Sequence, residues 1–171
     1  MKLVLLQRDV GLINRLMPAL STALCVIASV IPVHLPAFTV VTPAFALMAI
    51  YHWTLYRPDL LPFTAVFAAG LLLDMLTGAP LGISSLVLLL AYALVLSQRE
   101  HLLMRRFTGV WVGFLVVAAA AAVLQWLVVS LFYGMLLDVR AFLFQGVLTV
   151  ATYPVVSYLL VRVQRTLLMR A

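Results

Sequence analysis

The sequence predicts an all-α integral membrane protein, folded as a compact bundle of six transmembrane helices. Three observations favour this fold class: an apolar composition, six apolar runs and an uneven distribution of basic residues. Hydrophobic residues occupy 66% of the 171 positions and charged residues only 9%. Soluble domains contain about 45–50% apolar and about 25% charged residues, so we expect a single polytopic domain in a bilayer.

Six apolar runs are candidate membrane helices, because a spanning helix needs about 20 mostly apolar residues. Prolines, glycines and basic residues separate the runs. The predicted helices cover residues 16–33, 38–56, 60–76, 81–97, 109–133 and 141–163. The connecting segments are short, so consecutive helices are expected to be antiparallel neighbours. The longest connection, 98–108, is expected to form a loop near the lipid headgroups.

The basic residues predict the topology of these helices. Segments rich in Lys and Arg stay in the cytoplasm in most membrane proteins. With both termini in the cytoplasm, the inside segments hold ten of the 11 basic residues, namely Lys2, Arg8, Arg15, Arg57, Arg99, Arg105, Arg106, Arg162, Arg165 and Arg170. The outside loops hold Arg140 alone. We therefore expect a multi-pass protein whose two ends are both cytoplasmic.

Several function classes are excluded by what the sequence lacks. The net charge of +6 does not indicate nucleic-acid binding, because topology accounts for the basic residues and no basic face carries interleaved aromatics. Cys25 is the only cysteine, and His34, His52 and His101 fall on separate segments, so no metal site is expected. No nucleophile is accompanied by a base and an orienting group, so neither an enzyme nor a cofactor is predicted.

Asp74 is the only acidic residue within a predicted helix, where an ionisable group is costly. It follows Gly70 by four residues, so both point in the same direction. Three roles are open for Asp74. The first role is that of a carboxylate at the membrane interface, which meets water or backbone donors of the turn 78–84. The second is a hydrogen-bonding contact between helices. The third is a group that binds a proton or substrate. The first is preferred because Asp74 lies two residues from the predicted helix end.

Polar side chains on the last two predicted helices are candidates for lining an interior cavity. Gln145, Thr149 and Thr152 recur on one face of the sixth helix, and Gln125 lies on the fifth. In membrane helices such a stripe usually joins helices through hydrogen bonds. A ligand cavity is the alternative.

A group of motifs runs through residues 56–90. It consists of a Tyr-Arg-Pro turn, a Gly-x-x-x-Asp pair and a Gly-x-Pro-Leu-Gly turn. The residues are Tyr56, Arg57, Pro58, Gly70, Asp74, Gly78, Pro80, Leu81 and Gly82. In these motifs, and in length and topology, the chain resembles the rod shape-determining protein MreD family. The resemblance makes Arg57, Pro58, Gly70, Asp74, Gly78, Pro80 and Gly82 candidates for structural or partner-docking roles.

The resemblance implies an inner-membrane component of the bacterial elongation complex. Such proteins act beside MreC, the filament protein MreB, the glycosyltransferase RodA and a class B penicillin-binding transpeptidase. The implied role is to scaffold or regulate peptidoglycan synthesis and cell shape without catalysis, with an MreC-like protein and membrane lipid as the expected contacts. The implied fold is similar to the S components of energy-coupling factor transporters. A small-molecule-binding transporter subunit is therefore an alternative, and a lipid-modifying enzyme is a third, supported only by the basic inside loops.

Overall fold

The structure, a computed structural model, describes residues 18–31, 42–104, 107–136 and 138–168. Within these ranges the chain forms six α-helices, one short 3-10 helix and no strand, which confirms the all-helical prediction there. The helices are α1 Pro18–Val30, α2 Phe45–Tyr56, α3 Phe63–Thr77, α4 Ile83–Leu103, α5 Phe107–Tyr133 and α6 Val139–Leu168. The 3-10 helix is Pro58–Leu60. Both chain ends, the predicted outside loop 33–37 and the basic pair at 105 and 106 lie outside the described residues.

Three of the described helices, α4, α5 and α6, are long and apolar enough to cross a membrane. Helices α1 and α3 are apolar but shorter, and α2 has only 12 residues. At about 1.5 Å per residue, α2 is roughly 18 Å long, whereas the hydrocarbon core of a bilayer is about 30 Å thick. The lengths of the described helices therefore support three membrane spans and leave the predicted count of six without confirmation.

Helix α2 begins later than predicted. The prediction of a helix over 38–56 is wrong at residues 42–44, which are not helical, and α2 starts at Phe45. The reason is Pro43, which disfavours a helical backbone at Thr42 and has no N–H to donate. The chain therefore reaches α2 through a short non-helical segment.

Helix α2 lies at the centre of the bundle. Every residue from Ala46 to Leu55 is buried, whereas a surface helix buries only one stripe. It packs against both α4 and α6. Two serines of α1 also contact it, since Trp53 Nε1 donates to Ser21 Oγ at 2.8 Å and the Ala46 N–H donates to Ser29 Oγ at 3.1 Å. Its apolar character on all sides follows from this central position.

Helix α4 continues beyond the predicted end at residue 97 and stops at Leu103. The segment 98–103 was predicted to be part of a loop because it is polar, and this prediction is wrong. Gln98, Arg99 and Glu100 are good helix formers, so the helix continues after its apolar run is over. Helices α5 and α6 also begin earlier than the predicted residues 109 and 141.

We refer to the two ends of the bundle by a charged residue at each. The Asp74 end holds the last turns of α1, α3 and α5 and the first turns of α2, α4 and α6. The Arg99 end holds the opposite helix termini, and there Arg99 Nε donates to the carbonyl oxygen of Leu55 at 2.9 Å. In the predicted topology the Asp74 end faces outward and the Arg99 end faces the cytoplasm.

Candidate functional site

The carboxylate of Asp74 is fully buried and joins α3 to the start of α4. Its Oδ2 accepts a hydrogen bond from the N–H of Gly82 at 2.7 Å, and its Oδ1 accepts one from the N–H of Ser84 at 3.0 Å. The first N–H groups of a helix have no partner within the helix, and the positive end of the helix dipole favours an anion. Asp74 therefore caps α4 from the neighbouring helix.

Two glycines give the turn between α3 and α4 its shape. Gly78 has a φ of 68° and Gly82 a φ of 103°, a region that residues with a Cβ rarely adopt. Gly78 terminates α3, and its N–H donates to the carbonyl oxygen of Asp74. The N–H of Ala79 donates to the same oxygen at 3.2 Å. Asp74 thus fixes both sides of the turn, with its main chain at the end of α3 and its side chain at the start of α4.

Helices α3 and α4 approach each other closely at Gly70. A Cβ added to Gly70 would overlap the Cα of Ser85 and lie 2.7 Å from its N and Oγ atoms. The Ser85 hydroxyl donates to the carbonyl oxygen of Phe67 at 3.2 Å. Small residues at a helix crossing permit this approach of two backbones. Gly70 and Asp74 therefore define two successive contact points of one helical hairpin.

Arg57 and Pro58 lie at the opposite end of α3 from this turn. Arg57 is exposed, and its N–H donates to the carbonyl oxygen of Trp53 at 2.7 Å. Pro58 begins the 3-10 helix, whereas Pro80 is half-buried between the two glycines of the turn. The 15 residues of α3 separate the two turns by roughly 22 Å. The two motifs therefore do not form one site.

A cavity of about 240 Å³ lies inside the Asp74 end, and all six helices line it. The polar side chains facing it carry hydroxyl or amide groups, and no charged side chain is found among the described lining residues. These polar residues are Ser29, Thr42, Thr77, Ser84, Gln125, Gln145 and Thr149. Ala118, Ala121, Ala122 and Gly146 supply small side chains from α5 and α6, which leaves the space open.

Hydrogen bonds from α6 hold the non-helical segment before α2 against the cavity. Thr149 Oγ1 accepts from the N–H of Ala44 at 3.0 Å, and Gln145 Nε2 donates to the carbonyl oxygen of Thr42 at 3.1 Å. The contact from Ser29 described above secures the same region from α1. Backbone groups of this non-helical segment are thus paired with side chains, as burial requires.

Beyond the cavity, toward the Arg99 end, aromatic side chains fill the interior. The rings of Phe114 and Tyr153 stack with centroids 4.0 Å apart. Tyr51 meets both edge-on, at 5.1 Å and 5.7 Å. Its hydroxyl donates to the carbonyl oxygen of Val110 at 2.9 Å. These contacts join α2, α5 and α6 without leaving space.

An apolar groove of about 510 Å³ lies outside the cavity, between α5 and α6. Trp111 and Trp126 line it together with aliphatic side chains such as Val123. Ala122 and Gly146 line both the groove and the cavity. Only small side chains therefore separate the polar interior from the lipid-facing surface at this point.

A comparison with protein families identifies the family of the chain. A family model described as rod shape-determining protein MreD matches residues 11–163. The chain belongs to the MreD family. The predicted resemblance is thereby confirmed, and with it a coarse function as a shape-determining membrane protein of a family not known for enzymatic activity. No match was found among curated proteins or solved structures, so the similarity to S components stays a prediction.

Three of the four predicted cavity residues of this MreD-family chain meet at the cavity. Gln125, Gln145 and Thr149 line it, whereas Thr152 does not. The Thr152 hydroxyl donates to the carbonyl oxygen of Leu148 at 2.8 Å within its own helix. It lies about 4.5 Å further toward the Arg99 end than Thr149, at about 1.5 Å per residue. Asp74 does not line the cavity either, although its neighbour Leu73 does.

Sequence reasoning missed Ser29, Thr42 and Ser84 as cavity residues. For Thr42 a signal existed, because a residue before proline avoids the helical region and so marks a break. For Ser84 the sequence gives only its position at the end of the turn 78–84, and its N–H is bonded to Asp74. Ser29 gives no local signal, because its contact with Ala46 depends on how α1 packs. Among the described residues, no cluster of His, Cys, Asp or Glu could hold a metal ion.

Proposed function

We propose that this MreD-family protein is a non-enzymatic component of the bacterial elongation complex. In this proposal it lies in the inner membrane with both termini in the cytoplasm and scaffolds or regulates peptidoglycan synthesis. Its direct partner is an MreC-like membrane protein. MreB, RodA and a class B penicillin-binding protein belong to the wider complex.

The observation that carries this proposal is the family match over residues 11–163. The candidate surface for the direct partner is the exposed side of α3. Among the described helices, α3 packs mainly against α4. Its buried residues are Val66, Ala69, Gly70 and Asp74. The rest of its surface carries large exposed apolar side chains, among them Phe63, Phe67, Leu72 and Met75. We call these four residues the α3 face.

The α3 face rests on a rigid base, which favours its use in binding. The close contact at Gly70 and the two hydrogen bonds of Asp74 fix α3 on α4. A surface that is already ordered loses little conformational freedom when a partner binds. Phe and Met are also enriched in the cores of protein interfaces. In this proposal the candidate docking residues of the hairpin therefore act mainly by positioning the α3 face.

The test is co-purification of an MreC-like partner with a variant carrying Phe67→Ala and Met75→Ala. We expect recovery of the partner to fall by about tenfold or more, because truncating anchor residues of an interface costs more than about 1 kcal/mol. The matched control carries Leu115→Ala and Leu127→Ala, two exposed apolar residues of α5. Cells that depend on the protein should lose rod shape with the first variant and keep it with the second.

Folding of both variants is checked by thermal unfolding in detergent, since both sets of side chains are exposed. Equal partner recovery from the two variants, together with normal rods, would contradict the assignment of the α3 face. Normal rods after depletion of the whole protein would contradict the elongation role itself.

A further inference from the structure

We propose that the cavity at the Asp74 end is a binding site for a small, uncharged polar molecule. This inference goes beyond the scaffolding role and does not depend on it. It is carried by the size of the cavity, by the free hydrogen-bonding capacity of Gln125 and by the absence of charge from the described lining.

The cavity is large enough for a small organic molecule. Its volume of about 240 Å³ is roughly eight times the 30 Å³ or so that one water molecule occupies in the liquid. Ligand pockets commonly measure about 300–1,000 Å³, so this cavity lies below that range and the expected ligand is correspondingly small. The space exists because α5 and α6 present Ala118, Ala121, Ala122 and Gly146 where larger side chains would close it.

Gln125 is the polar group best placed to receive a ligand. Its carboxamide lines the cavity and makes no hydrogen bond to any residue that the structure describes. The amide offers two N–H donors and one acceptor oxygen. Gln125 lies eight residues before the end of α5 at Tyr133, roughly 12 Å along the helix. A polar group at that depth needs a partner, which water or a ligand within the cavity supplies.

The lining selects against ions. None of the described side chains facing the cavity carries a charge that could compensate a bound ion. The nearest hairpin carboxylate, Asp74, already accepts hydrogen bonds from Gly82 and Ser84 with both oxygens. An ion that left water for this site would lose its hydration without gaining a counter-charge. Hydroxyl, amide and carbonyl groups, in contrast, match the donors and acceptors of Gln125 and Gln145.

The first test measures which molecules enter the cavity. In a Cys25→Ser background, Gln125→Cys is exposed to the neutral reagent hydroxyethyl methanethiosulfonate and to its anionic sulfonatoethyl and cationic trimethylammonioethyl analogues. We expect the neutral reagent to react about tenfold faster than either charged one, since a tenfold ratio corresponds to only about 1.4 kcal/mol. Leu136→Cys, which is exposed beyond the end of α5 at Tyr133, is the control and should show no such preference for the neutral reagent.

Equal rates with the charged reagents, or no reaction at Gln125→Cys, would overturn the proposal. The same outcome would follow if Leu136→Cys gave the same pattern, because the selectivity would then not belong to the cavity.

The second test looks for the ligand itself. The full-length protein is purified in mild detergent and denatured, and the released compounds are identified by mass spectrometry. Ala121→Leu fills the cavity, and Gln125→Leu removes the amide while keeping a side chain of similar size. We expect the native protein to retain an uncharged polar compound that is depleted about tenfold in both variants. A tenfold depletion corresponds to a loss of about 1.4 kcal/mol in the free energy of binding.

Thermal unfolding shows whether each variant is folded, and Gln125→Leu serves alone if Ala121→Leu is not. Recovery of a charged compound that is depleted in the folded variants, or equal recovery of every compound from the native protein and the folded variants, would overturn the proposal. Both variants should still co-purify with the MreC-like partner, so the outcome is independent of the scaffolding test.

Discussion

The interior of the bundle is filled in opposite ways at its two ends. Toward the Arg99 end, the rings of Tyr51, Phe114 and Tyr153 pack against one another. At the Asp74 end, the same three helices line a cavity of about 240 Å³ together with α1, α3 and α4. Helices α5 and α6 are continuous through both regions. On these two helices the difference comes from the size of the side chains that they present.

Helix α5 shows this change along a single face. Phe114 is followed at helical spacing by Ala118, Ala121 and Gln125, which all line the cavity. On α6, Tyr153 is preceded in the same way by Thr149 and by Gly146. Large aromatic residues thus give way to small and polar ones on both helices at the same depth. The half toward the Arg99 end therefore contributes packing stability, and the half at the Asp74 end contains the cavity.

The largest effect should come from Phe114→Ala, which removes the stacked ring at the packed end. We expect a loss of about 3–5 kcal/mol in the free energy of unfolding, because the buried ring leaves a void that its neighbours cannot fill. Denaturant or thermal unfolding of the purified protein measures this loss. Leu115→Ala, one residue along and exposed, is the control and should cost far less. Similar unfolding of the two variants would mean that the packed half is not the main source of stability.

A smaller loss is expected for Asp74→Ala at the cavity end. The substitution leaves the N–H groups of Gly82 and Ser84 without their acceptor. Since each unpaired buried donor costs about 1–3 kcal/mol, we expect destabilisation of about 2–4 kcal/mol. Asp59→Ala is the control, because Asp59 is exposed on the 3-10 helix.

Asp74→Asn separates charge from hydrogen bonding at the same position. It keeps one acceptor oxygen, so its stability should fall between that of the native protein and that of Asp74→Ala. If Asp74→Ala unfolds at the same temperature as Asp59→Ala, the capping role of Asp74 is wrong.

The smallest effect concerns two glycines in helices. Gly70→Ala places a methyl group against the backbone of Ser85, which cannot move without shifting α4. We expect a loss of about 1–3 kcal/mol from this overpacking. Gly146→Ala meets only the Cβ of Ala122 at 3.8 Å and should be tolerated, with a possible gain of up to about 1 kcal/mol from helix propensity. Equal stabilities would show that α3 and α4 can separate at little cost.

Local features of the sequence predicted part of this architecture. The spacing of Gly70 and Asp74 and the glycines at 78 and 82 correctly indicated the family, because each motif depends on residues close together in the chain. The start of α2 was mispredicted because hydropathy alone ignores the effect of Pro43 on Thr42. The end of α4 was mispredicted because a polar segment was equated with a loop.

The cavity could be predicted only in part. Helical spacing on α6 brought Gln145 and Thr149 to one face, but spacing carries no information about depth, so Thr152 was included wrongly. Ser29 could not be found, because its role depends on packing between α1 and the start of α2. Long-range packing decides which helices surround the cavity. A single sequence holds no direct record of that packing.

The hydrogen bonds at the Asp74 end join residues that are either close together or far apart in the chain. This difference sets the order in which the bonds can form during synthesis. Asp74 is bonded to residues eight and ten positions away. The contacts from Thr149 and Gln145 to the segment before α2 join residues 105 and 103 positions apart. Because chains are made from the N-terminus, the buried carboxylate can meet its amide partners before α5 and α6 exist. The charge of the hairpin can thus be paired early, whereas the cavity wall closes only when the last helix arrives.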